Sequence, residues 1–158
     1  MTIEYENSDL IAVVSFLENG LIGHVVNDLG VMGAGIALQI AQEWPIVEEE
    51  YIKIVNSVPN ASLGGKVLFV NAKPNVVVAN LFAQEGIRTQ RRGIPLRYDW
   101  LKQCLVTFFE YARDNAMDIR IPKIGSGLAG GDWDTIWQMI LTTADECGYG
   151  QHLTLHSL

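Results

Sequence analysis

Val31-Met32-Gly33-Ala34-Gly35-Ile36-Ala37-Leu38 follows an apolar run that ends at Asn27 and opens a stretch with helical spacing. Glycine has no Cβ, so this corner lets another molecule approach the main chain closely. A helix that starts there turns N–H groups without intrahelical partners toward the same space, which suits an anion. Gly125-Ser126-Gly127-Leu128-Ala129-Gly130-Gly131 repeats the arrangement near the other end, again between an apolar run and a helical pattern. Two such corners in one small chain point to a ligand with two linked phosphates. Neither matches a common nucleotide fingerprint. No third glycine follows the first loop at the dinucleotide-fold spacing, and no Gly-Lys-Ser/Thr follows either loop, which excludes a P-loop.

The flanking sequence reads as alternating strands and helices. Ile3 and Tyr5 alternate with polar residues as in an opening strand, and residues 12–19 fit a short helix. Residues 21–26 read as a buried strand and residues 33–44 as a helix with Ile36, Ile40 and Trp44 on one face. Pro45 suits the first turn of the next helix, residues 46–55. Residues 67–70 and 76–82 form apolar strands, and Lys73-Pro74-Asn75 between them predicts a hairpin. A polar loop over residues 83–95 precedes a helix over 97–115, with Leu101, Leu105, Phe108 and Ala112 on one face. A strand over 119–124, a helix over 132–147 and a strand over 153–158 complete the chain. No linker-like break interrupts the alternation, so the expectation is one α/β domain over residues 1–158, a layered sandwich with a mixed sheet. Its site belongs on loops at the carboxyl ends of the strands.

Composition narrows the partners. The chain has 158 residues, 49% of them apolar, enough for a sizeable core and unlike a disordered segment. A net charge of −7 argues against general nucleic-acid binding, whose affinity comes mostly from Lys and Arg. It does not exclude a small anion held by main-chain N–H groups. Cys104 and Cys147 lack metal-ligand spacing, and so do His24, His152 and His156, so no metal and no cofactor is expected. The acidic start Met1-Thr2-Ile3-Glu4-Tyr5-Glu6 is not a secretory signal, and no apolar run is long enough to span a bilayer. The simplest expectation is a cytoplasmic monomer that avoids membranes.

The motifs resemble those of the macro domain family. Residues 27–37, Asn27-Asp28-Leu29-Gly30-Val31-Met32-Gly33-Ala34-Gly35-Ile36-Ala37, look like its first ligand loop. Ile121-Pro122-Lys123-Ile124-Gly125-Ser126-Gly127-Leu128-Ala129-Gly130-Gly131-Asp132-Trp133 looks like its second, diphosphate-clasping loop. Asn7-Ser8-Asp9-Leu10 is similar to the turn after the family's first strand. The matches fall in family order across nearly the whole chain. The resemblance implies a three-layer α/β/α sandwich that binds ADP-ribose or a derivative, which some members hydrolyse. It implies that Asp9, beside Leu10, accepts a hydrogen bond from the adenine amino group, although Asp9 alone would read as a turn or cap residue. It places Asn27 and Gln84 near the distal ribose, and Gly33, Ala34, Gly35 and Ile36 along that ribose and the phosphates. It assigns Gly125, Ser126, Gly127, Leu128, Ala129 and Gly130 to the phosphate loop and puts His156 near adenine.

Within the family the chain resembles the subgroup of terminal ADP-ribose protein glycohydrolases, DNA-ADP-ribose glycohydrolase antitoxins and yeast-type ADP-ribose 1″-phosphate phosphatases. The glycohydrolases carry a lysine where this chain has Ala83 or Gln84, and neither forms a Schiff base. The protein-directed enzyme carries an aspartate where Ala129 stands here. His24 falls where phosphatase-like relatives place a catalytic histidine, and imidazole titrates in the right range for acid–base work. Two roles therefore fit His24, acid–base catalyst and buried strand histidine. The resemblance thus implies hydrolysis of ADP-ribose 1″-phosphate with His24 and Asn27 as catalytic residues. The alternatives are a reader without turnover, or a hydrolase that removes ADP-ribose from protein or DNA or deacetylates O-acetyl-ADP-ribose. Arg88, Arg91 and Arg92 form either a solvated loop or a positive lip over the distal end of the cleft.

Overall fold

The computed structural model describes residues 1–59, 62–87 and 93–157. Six strands form one sheet: β1 (Thr2–Glu6), β2 (Gly20–Asn27), β3 (Val67–Lys73), β4 (Val76–Gln84), β5 (Ile119–Ile121) and β6 (His152–His156). Five helices accompany them: α1 (Leu10–Val14), α2 (Gly35–Glu43), α3 (Pro45–Ser57), α4 (Tyr98–Asp114) and α5 (Trp133–Glu146). The strand order is β1-β6-β5-β2-β4-β3. All neighbours pair parallel except β3 and β4, which form the expected antiparallel hairpin. The sheet is therefore mixed.

Strand β4 shows how the layers arise. In sequence it is apolar from Val76 to Ala83 apart from Asn80, as suits a strand buried on both faces. In the fold, Val77, Ala79, Leu81 and Ala83 join the core under α4 and α5, while Val76, Val78 and Phe82 join the core under α1, α2 and α3. Helices thus cover both faces, giving the three-layer sandwich. At roughly 25 cal/mol per Å² of apolar surface removed from water, these two cores are the main stabilising term. No helix among the described residues is long and apolar enough to cross a membrane.

Several element bounds differ from the sequence expectation, each for a local reason. Helix α1 starts at Leu10 rather than Ala12, because the Asp9 side chain accepts the Ile11 N–H at 2.9 Å and caps it. Strand β5 stops at Ile121, because Pro122 has no N–H for the ladder and Ile124 N–H turns back to the Pro122 carbonyl. Strand β4 runs on to Gln84, and an isolated bridge pairs Gln84 with Leu96 across the loop that follows. The closing strand ends at His156, and Leu158 lies outside the described residues.

Candidate functional site

At the carboxyl ends of β2, β4 and β5 lies a cleft of about 580 Å³, lined by both glycine loops. A second lobe of about 340 Å³ lies beside it, between the turn after β1 and the end of β6. Ile36, Pro122 and Lys123 line both lobes, so the two are contiguous. Asn27, Gly33, Ala34, Gly35, Ile36 and Gln84 stand in the loop lobe, with Gly125, Gly127, Leu128 and Ala129 opposite. Asp9, Leu10 and His156 stand in the second lobe with Ser8. Ser126 and Gly130 line neither lobe: the Ser126 hydroxyl donates to Lys123 O at 2.7 Å, and Gly130 N–H donates to Gly127 O at 3.0 Å. Both therefore shape the second loop from within.

The first loop ends in the N-terminus of α2, and this terminus differs from the others. Asp9 caps α1 and Asp132 caps α5 through their side chains, while α3 and α4 carry Glu48 and Asp99 in their first turns. Helix α2 has neither a side-chain cap nor a first-turn acid. The N–H groups of Gly33, Ala34, Gly35, Ile36 and Ala37 make no hydrogen bond among the described residues. Across the cleft the same holds for Gly127, Leu128 and Ala129. Two sets of unpartnered amides thus line one space, and the positive end of the α2 dipole adds to their attraction for an anion. Lys123 brings a side-chain cation to the junction of the lobes.

Asn27 reaches the cleft, but its side chain chiefly organises the loop. Its Oδ1 accepts from Leu29 N–H at 2.9 Å, Val31 N–H at 3.3 Å and the Tyr51 hydroxyl at 2.7 Å. Its Nδ2 donates to Val31 O at 2.9 Å, leaving one N–H unengaged among the described residues. Asp28, also buried, accepts the Gly86 N–H at 2.9 Å and ties the first loop to the segment after β4. Gln84 donates to Gly86 O in the same segment. Arg88, Arg91 and Arg92 lie outside the described residues. The stem of their loop is closed by Glu85 N–H to Pro95 O and by the Arg97–Glu85 ion pair at 2.8 Å.

The structure does not bring His24 to the cleft. It is 0% exposed within β2 and lines neither lobe. Its Nε2 lies 2.7 Å from Asn80 Oδ1, and Asn80 Nδ2 donates to Leu68 O. Asn80 therefore presents an acceptor, so the proton sits on His24 Nε2 and Nδ1 carries the lone pair. That Nδ1 is buried without a partner among the described residues. Burial pushes the imidazole down to about 4, against a smaller upward effect of the Asn80 bond. Of the two roles that fit His24, this burial and the bond to Asn80 match the buried strand histidine.

His156 is also buried, but it lines the second lobe. Arg120 donates to its Nε2 at 3.0 Å, so its Nδ1 carries the proton and faces Ser8 Oγ at 3.3 Å. Desolvation lowers its pKa, the Glu6 carboxylate raises it and Arg120 lowers it again. The ring is therefore held neutral in a fixed tautomer. Sequence reasoning missed Tyr51, Asp28 and the roles of Pro122 and Lys123. Only Lys123 carried a signal, a cation directly before the second glycine run.

No protein-family model matches the chain. An uncharacterized 17.5 kDa protein of Enterobacteria phage T4 is 26% identical over 143 residues, covering 86% of each chain. A structure of a protein of unknown function from Bacteroides thetaiotaomicron is 32% identical, with 100% of this chain and 99% of that one covered at a TM-score of 0.86. A macrodomain protein from Streptomyces coelicolor is 28% identical, with 99% of each chain covered at a TM-score of 0.78. DarTG from Thermosipho africanus, solved in complex with ADP-ribose, is 14% identical and superposes on 98% of this chain and 42% of its own at a TM-score of 0.73. With its sheet order, its two glycine loops at the strand ends and these full-length superpositions, this chain has the macrodomain fold.

Proposed function

We propose that this protein binds ADP-ribose, with the adenosine in the lobe of Ser8, Asp9 and His156 and the diphosphate between the two glycine loops. The uncapped α2 N-terminus carries this reading, because its unpartnered amides face those of the second loop across one cleft. Main-chain donors explain how a chain of net charge −7 holds an anionic ligand. The adjoining lobe has the polar groups a base requires, and the complex of the Thermosipho protein supplies the ligand class. Calorimetric titration with ADP-ribose tests the proposal. Saturable binding at one site is expected, and no heat at millimolar ligand would refute it.

Binding is supported more directly than turnover. Among the described residues the loop lobe is lined by no His, Asp or Glu side chain, and Lys123 is the ionisable group it holds. Phosphatase action on ADP-ribose 1″-phosphate through His24 has no support in this geometry. Phosphate release by the wild type, lost in His24→Ala protein that still folds and binds ADP-ribose, would restore that role.

A further inference from the structure

Tyr51, on α3, is fully buried and lines neither lobe. Its ring stacks on Phe82 with centroids 5.8 Å apart, which fixes where the hydroxyl sits. That hydroxyl lies 2.7 Å from both the main-chain O and the Oδ1 of Asn27, and it accepts the Gly30 N–H at 3.1 Å. Gly30 has φ +83, a left-handed conformation that suits glycine. Asn27 Oδ1 in turn accepts from Leu29 and Val31, so one tyrosine and one asparagine organise the whole bend. The bend leads directly into the amides of Gly33, Ala34 and Gly35.

We infer that Tyr51 is a positioning residue for the ligand: it holds the first loop in its binding form before ligand arrives. The inference rests on the ADP-ribose reading above. Without the hydroxyl, Gly30 N–H and the Asn27 oxygens lose a partner, and the loop samples other shapes. Apparent affinity then falls by the fraction of molecules that keep the competent loop. The loss is confined to ligands that reach this loop, which separates positioning from general weakening of the fold.

The test compares wild type with Tyr51→Phe, which keeps the stacked ring, at a temperature where circular dichroism shows both fully folded. Calorimetry is run with ADP-ribose and with adenosine, which carries the base and its ribose but no phosphate and no distal ribose. ADP-ribose is expected to bind about tenfold more weakly to the variant while adenosine changes by less than about twofold. Equal affinity of variant and wild type for ADP-ribose, or equal losses for both ligands, would overturn the inference. Absence of ADP-ribose binding by the wild type would instead overturn the underlying reading, and the inference with it. A second measurement needs no variant. Hydrogen exchange on unliganded wild type should show the Gly30 and Val31 amides protected and those of Gly33 and Ala34 open. Fast exchange at Gly30 and Val31 would mean that the loop is not held, and the inference would fail.

Discussion

The two glycine loops look alike in sequence and are held by different means. The first is pinned by side chains, with Tyr51 from outside it gripping Asn27 and Gly30 and the loop's own Asp28 reaching Gly86. The second holds itself by main-chain turns, Gly130 N–H to Gly127 O and Gly131 N–H to Gly125 O, and by packing against Leu96 and Ile136. Leu96 also donates its N–H to Ala129 O. The first loop therefore depends on a few hydrogen bonds, the second on the absence of side chains. The same composition serves conformation in one place and space in the other.

The sharpest way to break this contrast is Gly131→Ala. A Cβ there would lie 2.3 Å from Leu96 Cδ2 and 2.7 Å from Gly125 O, and the latter is main chain that cannot step aside. Chemical denaturation should show a loss of about 3 kcal/mol or more, with ADP-ribose binding abolished. Unchanged stability would mean that packing does not define the second loop.

Acid should next act on the strand that leads into the first loop. His24 has a folded pKa of about 4 against 6.5 when unfolded, so the unfolded chain binds more protons between those values. The stability is fully present above pH 6.5 and is lost as pH falls toward 4, by about 3 kcal/mol in all. Urea midpoints measured across this range should fall, and they should fall less in a folded His24→Gln variant. Equal slopes in the two proteins would remove His24 from the account.

Gly35→Ala is expected to be milder for the fold. The methyl meets nothing within 4 Å, but φ is +60, so the strain costs about 1 to 2 kcal/mol. Binding should weaken more than stability, because the methyl enters the cleft. Gly127→Ala is the smallest change. Its Cβ also has open space and its φ is unstrained, so thermal stability should shift by no more than about 0.5 kcal/mol while ADP-ribose affinity drops. If Gly127→Ala bound ADP-ribose like wild type, the second loop would not close on ligand at that point.

The loops were legible in sequence because glycine clusters are rare and punctuate a strand-to-helix pattern. The mixed sheet was legible because Pro74-Asn75 marks a hairpin between runs rich in valine. His24 was not legible, since an apolar strand says nothing about whether a polar side chain meets the cleft or the core. Its bond to Asn80 spans 56 residues. Tyr51 was invisible for the same reason, standing 24 residues from Asn27 in a helix that otherwise reads as ordinary core. Local chemistry marked where a ligand belongs, whereas long-range bonds decided which side chains reach it.

The uncapped start of α2 has a consequence for genetics. Donors that belong to the main chain survive almost any replacement of the side chains attached to them. An alanine scan of Gly33 to Ile36 would alter the cleft's walls and leave every N–H in place, so it would understate what the segment does. Amide-to-ester replacement, which deletes one donor and keeps the side chain, is the substitution to which such a surface is sensitive.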